Sequence, residues 1–494
     1  RLTDVTGVQT CALPIYTTTM TYDLVGNLLT RTDPLGRVTT MTYDTLDRLI
    51  QETDPLGNLT QYVYDGKGNR IQVIDANGNS TTYEYDLRDR QVKTTDAFGN
   101  VEIQAYDGNN NRVSLTDKNG HVTTFAYDVQ NRLIKTTDTL GNSTIMAYDS
   151  AGNKISETDA NSNTTNYEYD CLNRLIRKID DLGCITQFEY DTVNGSGCLI
   201  CSGPTLGSSL VTKQIDGNGK VTYFKYDDLN RLIKEIRKEG DVADVIDASD
   251  AVTEYTFDAN GNRLSITEPN GNITTYVYNA LDRVTIETNT EGESTLTSYD
   301  AVGNVKTVTT PNGNVTSNTY DALDQLIQVE DSVGLIATYS YDPVGNRISE
   351  TDGNGHTTTY EYDIIDRLVR ITDPMGNPTS YTYDAVGNLL TVTDREGNVT
   401  THEYDALNRR IKTTDAISCV TSYEYDPVGN LIRVIDANGH ATTYEYDPLN
   451  RLIKEAYADG GERTFTYDCV GNLITRTDQK GRTTTYVYND LYFL

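Results

Sequence analysis

The sequence predicts an all-β chain of tandem β-hairpins, because three regularities recur along it. A Tyr-Asp dipeptide, with conservative changes at a few places, stands at 22 positions, most of them 21 residues apart. Each 21-residue unit carries two turn signals of the form Asp-x-x-Gly, as at residues 23–26 and 33–36. Segments of about six residues, rich in Thr, Tyr, Val and Ile, lie between the turns. Such segments favour strands, so each unit is predicted to be one antiparallel hairpin.

The turn signals place suitable residue types at each turn position. Asp33 fits the first position of a type I turn, because its carboxylate can accept a hydrogen bond from the backbone two residues on. Pro34 presets the next backbone angle, and Gly36 suits the left-handed conformation that follows. A type I turn with such a bulge-forming glycine closes a β-hairpin.

The predicted strands have two unlike faces. Side chains alternate along a strand, which puts Tyr83 and Tyr85 on one face and Thr82 and Glu84 on the other. Repetition stacks the tyrosines across neighbouring strands, where each pair contributes roughly 0.2 to 1 kcal/mol. We expect a thin core and stability that adds up between neighbours. A sheet this long twists, so it must coil, close or form a shell.

A second period lies on top of the first. Gly-Asn follows the Tyr-Asp dipeptide in one set of units, whereas Arg marks the alternate set. The first set includes Gly26, Gly152, Gly303, Gly345, Gly387 and Gly429, and the second includes Arg48, Arg90, Arg132, Arg174 and Arg231. The full repeat is therefore a pair of hairpins, about 42 residues long.

Interruptions of the register divide the chain. The first residues are predicted to be an artefact, because Val5 to Ile15 resembles the translation of a sequencing adapter and the repeats resume at Tyr16. The predicted segments are the artefact at 1–15, YD repeats at 16–191, a cysteine-containing insertion at 192–214, a YD repeat at 215–236, an acidic insertion at 237–254 and YD repeats at 255–494, which are truncated at their end. We expect the acidic insertion to be a surface loop or a short helix.

The overall charge bears on the partners. A formal net charge of −31 disfavours nucleic acid and anionic membranes, because binding phosphates needs clustered Lys and Arg. No apolar stretch approaches the roughly 20 residues that span a bilayer, and no leader opens the chain. Seven cysteines are too few for a disulfide scaffold and do not fix the compartment.

Residues that could bear chemistry are interpreted as structural. His121, His356 and His440 follow Gly in a turn position usually held by Asn, and His402 takes the strand position that Tyr444 holds 42 residues later. The segment Asp75 to Asn79 is reminiscent of a calcium loop but lacks the glycine and the glutamate that an EF-hand requires at positions six and twelve. No catalytic, cofactor-binding or metal-binding residue is predicted.

The most specific departure from the pattern is Cys198-Leu199-Ile200-Cys201 in the first insertion. One Cys-x-x-Cys supplies only half of a zinc site. Cys171 follows a Tyr-Asp turn on the same predicted edge of the sheet, whereas Cys184 lies in the opposite turn, roughly 20 Å away at 3.3 Å per residue. Inert thiols, a local disulfide among Cys198, Cys201 and Cys171, and a metal site remain as alternatives.

The motifs Tyr-Asp-x-x-Gly-Asn-Leu, as at Tyr383 to Leu389, and Thr-Asp-Pro-x-Gly-Asn, as at Thr372 to Asn377, resemble the YD repeat of Rhs proteins, toxin-complex shell subunits and teneurins. The resemblance extends from Tyr16 to about Asn489. It implies a spiralling antiparallel sheet that is part of a hollow shell, with a C-terminal toxin domain inside and delivery machinery as a further partner. The region of self-cleavage that follows the repeats in this family is not found in the sequence.

The leading hypothesis is therefore structural. The chain would be a shell segment of a bacterial Rhs-like polymorphic toxin, secreted or at the cell surface, that encapsulates a C-terminal effector and has no enzymatic activity of its own. The alternative is a cell-surface or wall-associated adhesion protein built of YD repeats, with a carbohydrate or cell-surface ligand. The absence of Trp counts mildly against stacking on sugars. An enzyme hidden in the insertions is disfavoured, because catalysis needs several groups within hydrogen-bond reach.

Overall fold

The computed structural model describes residues 17–191, 209–239 and 246–489. Within these ranges the chain contains β-strands, turns and no helix, and its 43 strands are assigned to a single antiparallel sheet. The prediction of an all-β chain of hairpin repeats is confirmed.

The strands of the first half are β1 Thr19–Tyr22, β2 Leu28–Thr32, β3 Val38–Tyr43, β4 Leu49–Thr53, β5 Leu59–Tyr64, β6 Arg70–Ile74, β7 Ser80–Tyr85, β8 Gln91–Thr95, β9 Val101–Tyr106, β10 Arg112–Thr116, β11 Val122–Tyr127, β12 Leu133–Thr137, β13 Ser143–Tyr148, β14 Lys154–Thr158, β15 Thr164–Tyr169, β16 Leu175–Ile179, β17 Ile185–Tyr190, β18 Val211–Ile215, β19 Val221–Tyr226, β20 Leu232–Arg237 and β21 Ala251–Phe257. Those of the second half are β22 Arg263–Thr267, β23 Ile273–Tyr278, β24 Val284–Thr288, β25 Ser294–Tyr299, β26 Val305–Thr309, β27 Val315–Tyr320, β28 Leu326–Asp331, β29 Leu335–Tyr341, β30 Arg347–Asp352, β31 Thr357–Tyr362, β32 Leu368–Thr372, β33 Pro378–Tyr383, β34 Leu389–Thr393, β35 Val399–Tyr404, β36 Arg410–Thr414, β37 Val420–Tyr425, β38 Leu431–Ile435, β39 Ala441–Tyr446, β40 Leu452–Ala456, β41 Glu462–Tyr467, β42 Leu473–Thr477 and β43 Thr483–Thr485.

Two kinds of turn alternate along the chain. We call the turn that begins with the aspartate of each Tyr-Asp dipeptide a Tyr-Asp turn, and the other Asp-x-x-Gly turn of each unit a second turn. In the second turn at Asp75, the amide of Asp75 donates to the carbonyl of Asn79 at 2.9 Å, and the amide of Gly78 donates to the carbonyl of Asp75 at 3.0 Å. The Asp75 carboxylate accepts from the amides of Asn77 and Asn79 at 2.9 and 2.8 Å. These bonds explain why aspartate begins the turn.

The last turn position requires a left-handed backbone. Gly78 has a φ of 84° there, which glycine adopts without a steric penalty. In the Arg-marked units Asp47 and Asn131 take this position with φ of 58° and 62°, because Asp and Asn tolerate this conformation better than other side chains. The predicted turn with a bulge-forming residue is confirmed, although glycine is not the only residue that serves.

Contact clustering divides the chain into two compact units, which are described separately. The first unit comprises the described residues up to Gly99 together with Phe257–Leu264 and Thr274–Pro378. The second comprises Asn100–Thr256, Ser265–Ile273 and the described residues from Thr379 onward. Each unit therefore combines hairpins from the first half of the chain with hairpins from the second half.

The core is thin, as expected. Among the described residues, the buried hydrophobic side chains are Val221, Ile236, Ala251 and Ala337, of which Ile236 is fully buried. The strands instead bury one face partly: in β31, Tyr360 and Tyr362 are half-buried, whereas Thr359 and Glu361 are exposed. Hydrogen bonds and partly buried aromatic rings must therefore supply much of the stability.

The acidic insertion begins and ends at a buried ion pair. Strand β20 extends to Arg237 and β21 begins at Ala251. Between them, the ammonium of Lys238 lies 2.6 Å from the carboxylate of Asp250, with both side chains almost fully buried. Residues 240–245 lie outside the described ranges, so the predicted form of this loop stays a prediction.

Candidate functional site

The described residues contain no group of three His, Cys, Asp or Glu that could hold a metal ion. They also include no helix that could cross a membrane. The most regular side-chain contacts of the described residues are made at the turns. Some of them join neighbouring hairpins, and others join hairpins that are far apart in the sequence.

The tyrosine of each Tyr-Asp dipeptide joins its hairpin to the preceding one. The hydroxyl of Tyr64 donates to the carbonyl of Leu49 at 2.8 Å, and the hydroxyl of Tyr148 donates to the carbonyl of Leu133 at 2.9 Å. The same bond, always 15 residues back, recurs in most units. A phenylalanine, such as Phe257 in one unit, fills the same volume but cannot make this bond.

The arginine of the alternate units joins its hairpin to the following one. The Nε of Arg48 donates to the Asp44 carboxylate of its own turn at 2.8 Å, and its Nη1 donates to the carbonyl of Asp65 at 2.8 Å. The guanidinium also lies 4.9 Å from the ring centre of Tyr64, within cation–π range. Only a planar, forked cation can make these three contacts together.

The asparagine of the Gly-Asn units likewise joins its hairpin to the following one, which carries an Arg-marked turn. The Nδ2 of Asn69 donates to the Asp65 carboxylate of its own turn and to Oδ1 of Asp89 in the next Tyr-Asp turn, both at 3.0 Å. Asn111 reaches Asn131 in the same way at 2.8 Å. Gly-Asn turns and Arg turns therefore have to alternate, which accounts for the 42-residue period.

At the longer range, second turns of the first half pack against Tyr-Asp turns of the second half. We call this set of contacts the seam. In the first unit, Nδ2 of Asn77 donates to the Asp342 carboxylate at 3.1 Å. In the second unit, the same bond joins Asn119 to Asp384 at 2.9 Å, Asn161 to Asp426 at 2.9 Å and Asn218 to Asp468 at 2.8 Å.

The seam keeps its register past the first insertion. The first three asparagine–aspartate pairs are each 265 residues apart, and the fourth is 250 residues apart. This change of 15 residues equals the excess of the Tyr190 to Tyr226 spacing over 21. The extra residues of the insertion are therefore accommodated without displacing the turns that follow.

Between the asparagines, the same turn position holds apolar residues. They are Leu56, Phe98, Leu140 and Leu182. In the first unit, the ring of Phe98 lies 5.4 Å from the guanidinium of Arg367, which belongs to an Arg-marked Tyr-Asp turn. Asparagine turns thus meet Gly-Asn turns, and the Phe98 turn meets an Arg turn.

Arg37 adds an ionic contact to the seam of the first unit. Its Nη1 lies 2.9 Å from Oδ1 of Asp324 and donates to the carbonyl of Asp321 at 3.1 Å. The Arg37 side chain is mostly buried in this contact, whereas the Asp324 side chain is exposed, so water still screens the pair from one side.

A disulfide crosses the seam of the second unit. Cys184, next to a second turn, is bonded to Cys469 in a Tyr-Asp turn, 285 residues away. A Cβ added to Gly217 would lie 2.8 Å from the Cβ of Cys469, so only glycine allows the adjacent second turn this close. The sequence reasoning considered Cys184 only as a partner for the first insertion and missed this bond, because the two cysteines meet through packing of distant turns.

Of the three cysteines predicted to form a local disulfide, the structure describes only Cys171. Cys171 forms a disulfide, whereas Cys198 and Cys201 lie outside the described residues, so the proposed pairing stays a prediction. Cys419 is a free thiol.

The histidines lie where the sequence placed them. The amide of His121 donates to the Asp117 carboxylate at 2.8 Å, and its Nδ1 lies 3.2 Å from the same carboxylate, as an asparagine would. His356 and His440 repeat this arrangement. His402 is half-buried in β35 beside Thr413, and burial, followed by the nearby Arg410, lowers its pKa.

The seam carboxylates are held in their charged form. Burial alone would raise the pKa of Asp342, but hydrogen bonds from Asn346, from Asn77 and from the turn backbone outweigh it and lower the pKa. The same balance lowers the pKa of Asp384, Asp426 and Asp468, with Asn119, Asn161 and Asn218 as the seam donors. An ionised acceptor strengthens each of these bonds.

One signal in the sequence could have revealed the seam. The third residue of successive second turns alternates as Leu56, Asn77, Phe98, Asn119, Leu140 and Asn161. Turn apices facing only water have no reason to alternate between amide and apolar side chains. The alternation therefore indicates a partner surface with the same 42-residue period.

Comparisons with known proteins agree with this architecture. A family profile described as RHS Repeat matches residues 22–59, 64–101, 106–143, 238–273, 257–294, 299–336 and 320–357, and one described as Teneurin YD-shell matches residues 348–492. No curated protein matches the chain in sequence.

Solved structures match over nearly the whole chain. A chain of the TcdB2-TccC3-Cdc42 crystal structure is 14% identical, with a TM-score of 0.77 over 97% of this chain and 34% of that chain. A chain of the TcdB2-TccC3 crystal structure is 16% identical, with a TM-score of 0.68 over 96% of this chain and 32% of that chain. At these identities the likeness concerns the fold. The chain spans about a third of the length of these solved chains.

Proposed function

Because the chain belongs to the Rhs/YD-repeat family, we propose that it is wall material of a bacterial polymorphic toxin, in a shell that encloses a C-terminal effector. The observation that carries this proposal is the superposition of 97% of the chain on the TcdB2-TccC3-Cdc42 structure with a TM-score of 0.77. The proposal rests on the fold and on the family. The sequence identity of 14% is too low to carry it.

The seam supports a role as a barrier. A sheet edge or a row of turns normally faces water, yet Asn77, Asn119 and Asn161 bring turns of distant hairpins within hydrogen-bond reach of each other. Each contact uses an asparagine side chain that its own turn does not need. Sealing gaps between rows of hairpins is what a wall around a second domain requires.

The described residues support a structural rather than a catalytic role. The aspartates that dominate the charge, such as Asp75 and Asp342, are engaged in turn and seam hydrogen bonds. We propose that residues 17–191, 209–239 and 246–489 contribute no catalytic group and that the chemistry of the toxin belongs to the enclosed effector.

The disulfides support a secreted or cell-surface location. Cys184–Cys469 and the disulfide of Cys171 are typical of proteins that mature in an oxidising compartment, because the bacterial cytosol keeps thiols reduced. Delivery machinery then becomes a necessary partner.

The match of residues 348–492 to the teneurin YD-shell profile favours one second candidate. In that case the chain would be a cell-surface adhesion module with a carbohydrate or protein ligand. The two candidates differ in the molecule that the repeats enclose and in the region that comes after the repeats.

Long-read sequencing of the locus across both ends of the chain separates the candidates. A self-cleavage region and a short variable domain after Asn489 are expected for the toxin shell. A wall anchor or membrane segment with no variable domain would instead support adhesion and contradict the proposal.

Protease protection tests enclosure directly. The complete gene product is digested before and after unfolding in urea, and the products are identified by mass spectrometry. We expect the effector to survive digestion in the native protein and to be cleaved after unfolding. Equal cleavage in both states would show that the repeats do not enclose it.

A further inference from the structure

One disulfide holds the seam of the second unit covalently. Cys184, at the end of a second turn, is bonded to Cys469 in a Tyr-Asp turn, whereas Asn119 and Asn161 cross the same seam through hydrogen bonds. Both cysteines are partly exposed to solvent. A small thiol can therefore reach the bond, and accessible disulfides are reduced more readily than buried ones.

Neither turn needs its cysteine. Another second turn holds Asn163 at the position of Cys184, and another Tyr-Asp turn holds Ala385 at the position of Cys469. The hydrogen bonds of the second turn do not involve the sulfur: the amide of Asp180 donates to the carbonyl of Cys184 at 3.2 Å, and the amide of Cys184 donates to the Asp180 carboxylate at 2.9 Å. Cleavage of the disulfide therefore leaves these bonds in place.

A seam contact beside the disulfide depends on the same close approach of the turns. Asn218, in the following second turn, donates from Nδ2 to the Asp468 carboxylate at 2.8 Å, and its Oδ1 accepts from the amide of Cys469 at 3.1 Å. A Cβ added to Gly217 would lie 2.8 Å from the Cβ of Cys469 and 3.4 Å from that of Cys184. The disulfide thus fixes the distance at which Asn218 bridges Asp468 and Cys469.

We propose that the Cys184–Cys469 disulfide is a reducible latch, which keeps the seam of the second unit closed in an oxidising compartment and lets it open in a reducing one while the hairpins stay folded. The reductant is a small cellular thiol. Its thiolate attacks one of the two sulfurs and forms a mixed disulfide, and the other cysteine leaves as a thiolate and takes up a proton. A second thiol attacks the mixed disulfide, which frees the first cysteine as a thiol and joins the two reductant molecules in their own disulfide. Two electrons thus pass from the reductant to the two cysteines.

The direction of this switch rests on the proposed function. A shell that encloses an effector must stay closed outside the target cell and open inside it, and the cytosol is the compartment whose thiols are kept reduced. The opening itself is a property of this chain. It can be tested without the effector, so failure of the latch and failure of the proposed function are distinguishable.

NMR of the purified 494-residue chain, isotopically labelled only at cysteine, measures the opening. The amide of Cys469 donates across the seam to Asn218, whereas the amide of Cys184 donates within its own turn to Asp180. We expect reduced glutathione to accelerate hydrogen exchange of the Cys469 amide by about tenfold or more, and that of the Cys184 amide by less than about twofold. The first change reports an opened seam, and the second reports an intact turn.

Three variants assign the response to this bond. Cys184→Ser imitates the cleaved disulfide, so the Cys469 amide should exchange fast both with and without glutathione. Cys419→Ser is the matched control, because it removes a free thiol at the equivalent position of another second turn. Cys171→Ser removes a different disulfide. Both of these variants should respond to glutathione like the original chain.

The latch is overturned if glutathione leaves the disulfide intact, or if exchange of the Cys469 amide is unchanged once mass spectrometry shows that the bond is cleaved. Equal acceleration of the Cys184 and Cys469 amides also overturns it, because the hairpin would then unfold. Reduction is applied to the folded original chain, so these outcomes do not depend on whether a variant folds. An effector that is unprotected in the complete gene product, together with a seam that opens on reduction, would refute the proposed function and leave the latch in place.

Discussion

The hydroxyl of Tyr64 ties β5 to the preceding hairpin, and its ring supports the guanidinium of Arg48. One side chain thus serves two neighbours. Tyr62, two residues earlier on the same face, has no hydrogen bond to its hydroxyl in the described part of the chain, although Arg70 lies 5.8 Å from its ring. The pair separates the contribution of the hydroxyl from that of the ring.

We expect Tyr64→Phe to destabilise the hairpins around β5 by roughly 1 kcal/mol, because it removes one hydrogen bond and keeps the ring. Native-state hydrogen exchange of the amides in β4 and β5 measures this locally, which suits an array whose units need not unfold together. Tyr62→Phe should change the same amides by less than about 0.5 kcal/mol. Equal effects of both variants would assign the stabilisation to the rings alone.

The turn carboxylates predict how stability depends on pH. The side-chain bond from Arg90 and the turn amides lower the pKa of Asp86 from 3.8 to about 2, and Arg482 does the same for Asp478. Since the folded pKa lies below the unfolded value, this stabilisation is complete above about pH 4 and is lost as pH falls towards about 2.

Thermal unfolding of the His402→Tyr variant, compared with the original chain, isolates the loss of stability that protonation of the turn aspartates causes at low pH. His402 has a lowered pKa, so it contributes a separate loss of stability below about pH 6.5 that the variant removes. We expect the melting temperature of the variant to change little from about pH 7 to 5 and to fall steeply from about pH 4 to 2. A steep fall already between pH 6 and 5 in the variant would contradict the role assigned to the aspartates.

At the scale of elements, the two turn types are complementary connectors. Arg132 binds the Asp128 carboxylate of its own turn at 2.7 Å and the carbonyl of Asp149 in the next Tyr-Asp turn at 2.6 Å, and lies 4.9 Å from the ring centre of Tyr148. It therefore joins the hairpin β11–β12 to the hairpin β13–β14.

We expect Arg132→Lys to weaken that joint, because an ammonium keeps the charge but cannot bind two oxygens and stack on a ring together. Amide exchange near the ends of β12 and β13 should accelerate about tenfold, equivalent to about 1.4 kcal/mol. Arg395→Lys, at an exposed turn apex, provides the control and should leave exchange rates nearly unchanged. Similar acceleration of amide exchange in both variants would show that the two-pronged guanidinium of Arg132 is not needed to join the hairpins.

At the scale of the whole molecule, the local fold could be predicted, whereas the pairing of particular distant turns across the seam could not. The 21-residue spacing, the Asp-x-x-Gly turns and the strand composition specify contacts within and between adjacent hairpins, such as Asp75 with Asn79. The pairs Asn77–Asp342 and Cys184–Cys469 depend on how twist accumulates over many strands. Small differences in the twist between neighbouring strands add up, so the local sequence period does not determine which distant turns meet.

The contribution of the Cys184–Cys469 disulfide to the stability of the second unit can be measured. Cys184→Ser opens a link across 285 residues, and loss of a native disulfide typically costs about 2–5 kcal/mol of stability. We expect a lower midpoint of urea unfolding for the second unit under non-reducing conditions. Cys419→Ser, which removes a free thiol, is the control, and equal midpoints for the two variants would show that the bond does not stabilise the seam.

The alternation of turns also constrains how the gene can change length. Gain or loss of a single 21-residue unit between the two partners of a seam pair, such as Asn77 and Asp342, would place that asparagine turn opposite an arginine turn. Recombination between repeats is therefore tolerated only in even copy numbers within that stretch, a parity rule. Insertions that leave the pairing of the turns unchanged, as the 15 additional residues between Tyr190 and Tyr226 do, escape the rule, so length variation among natural alleles should consist of whole pairs and of such insertions.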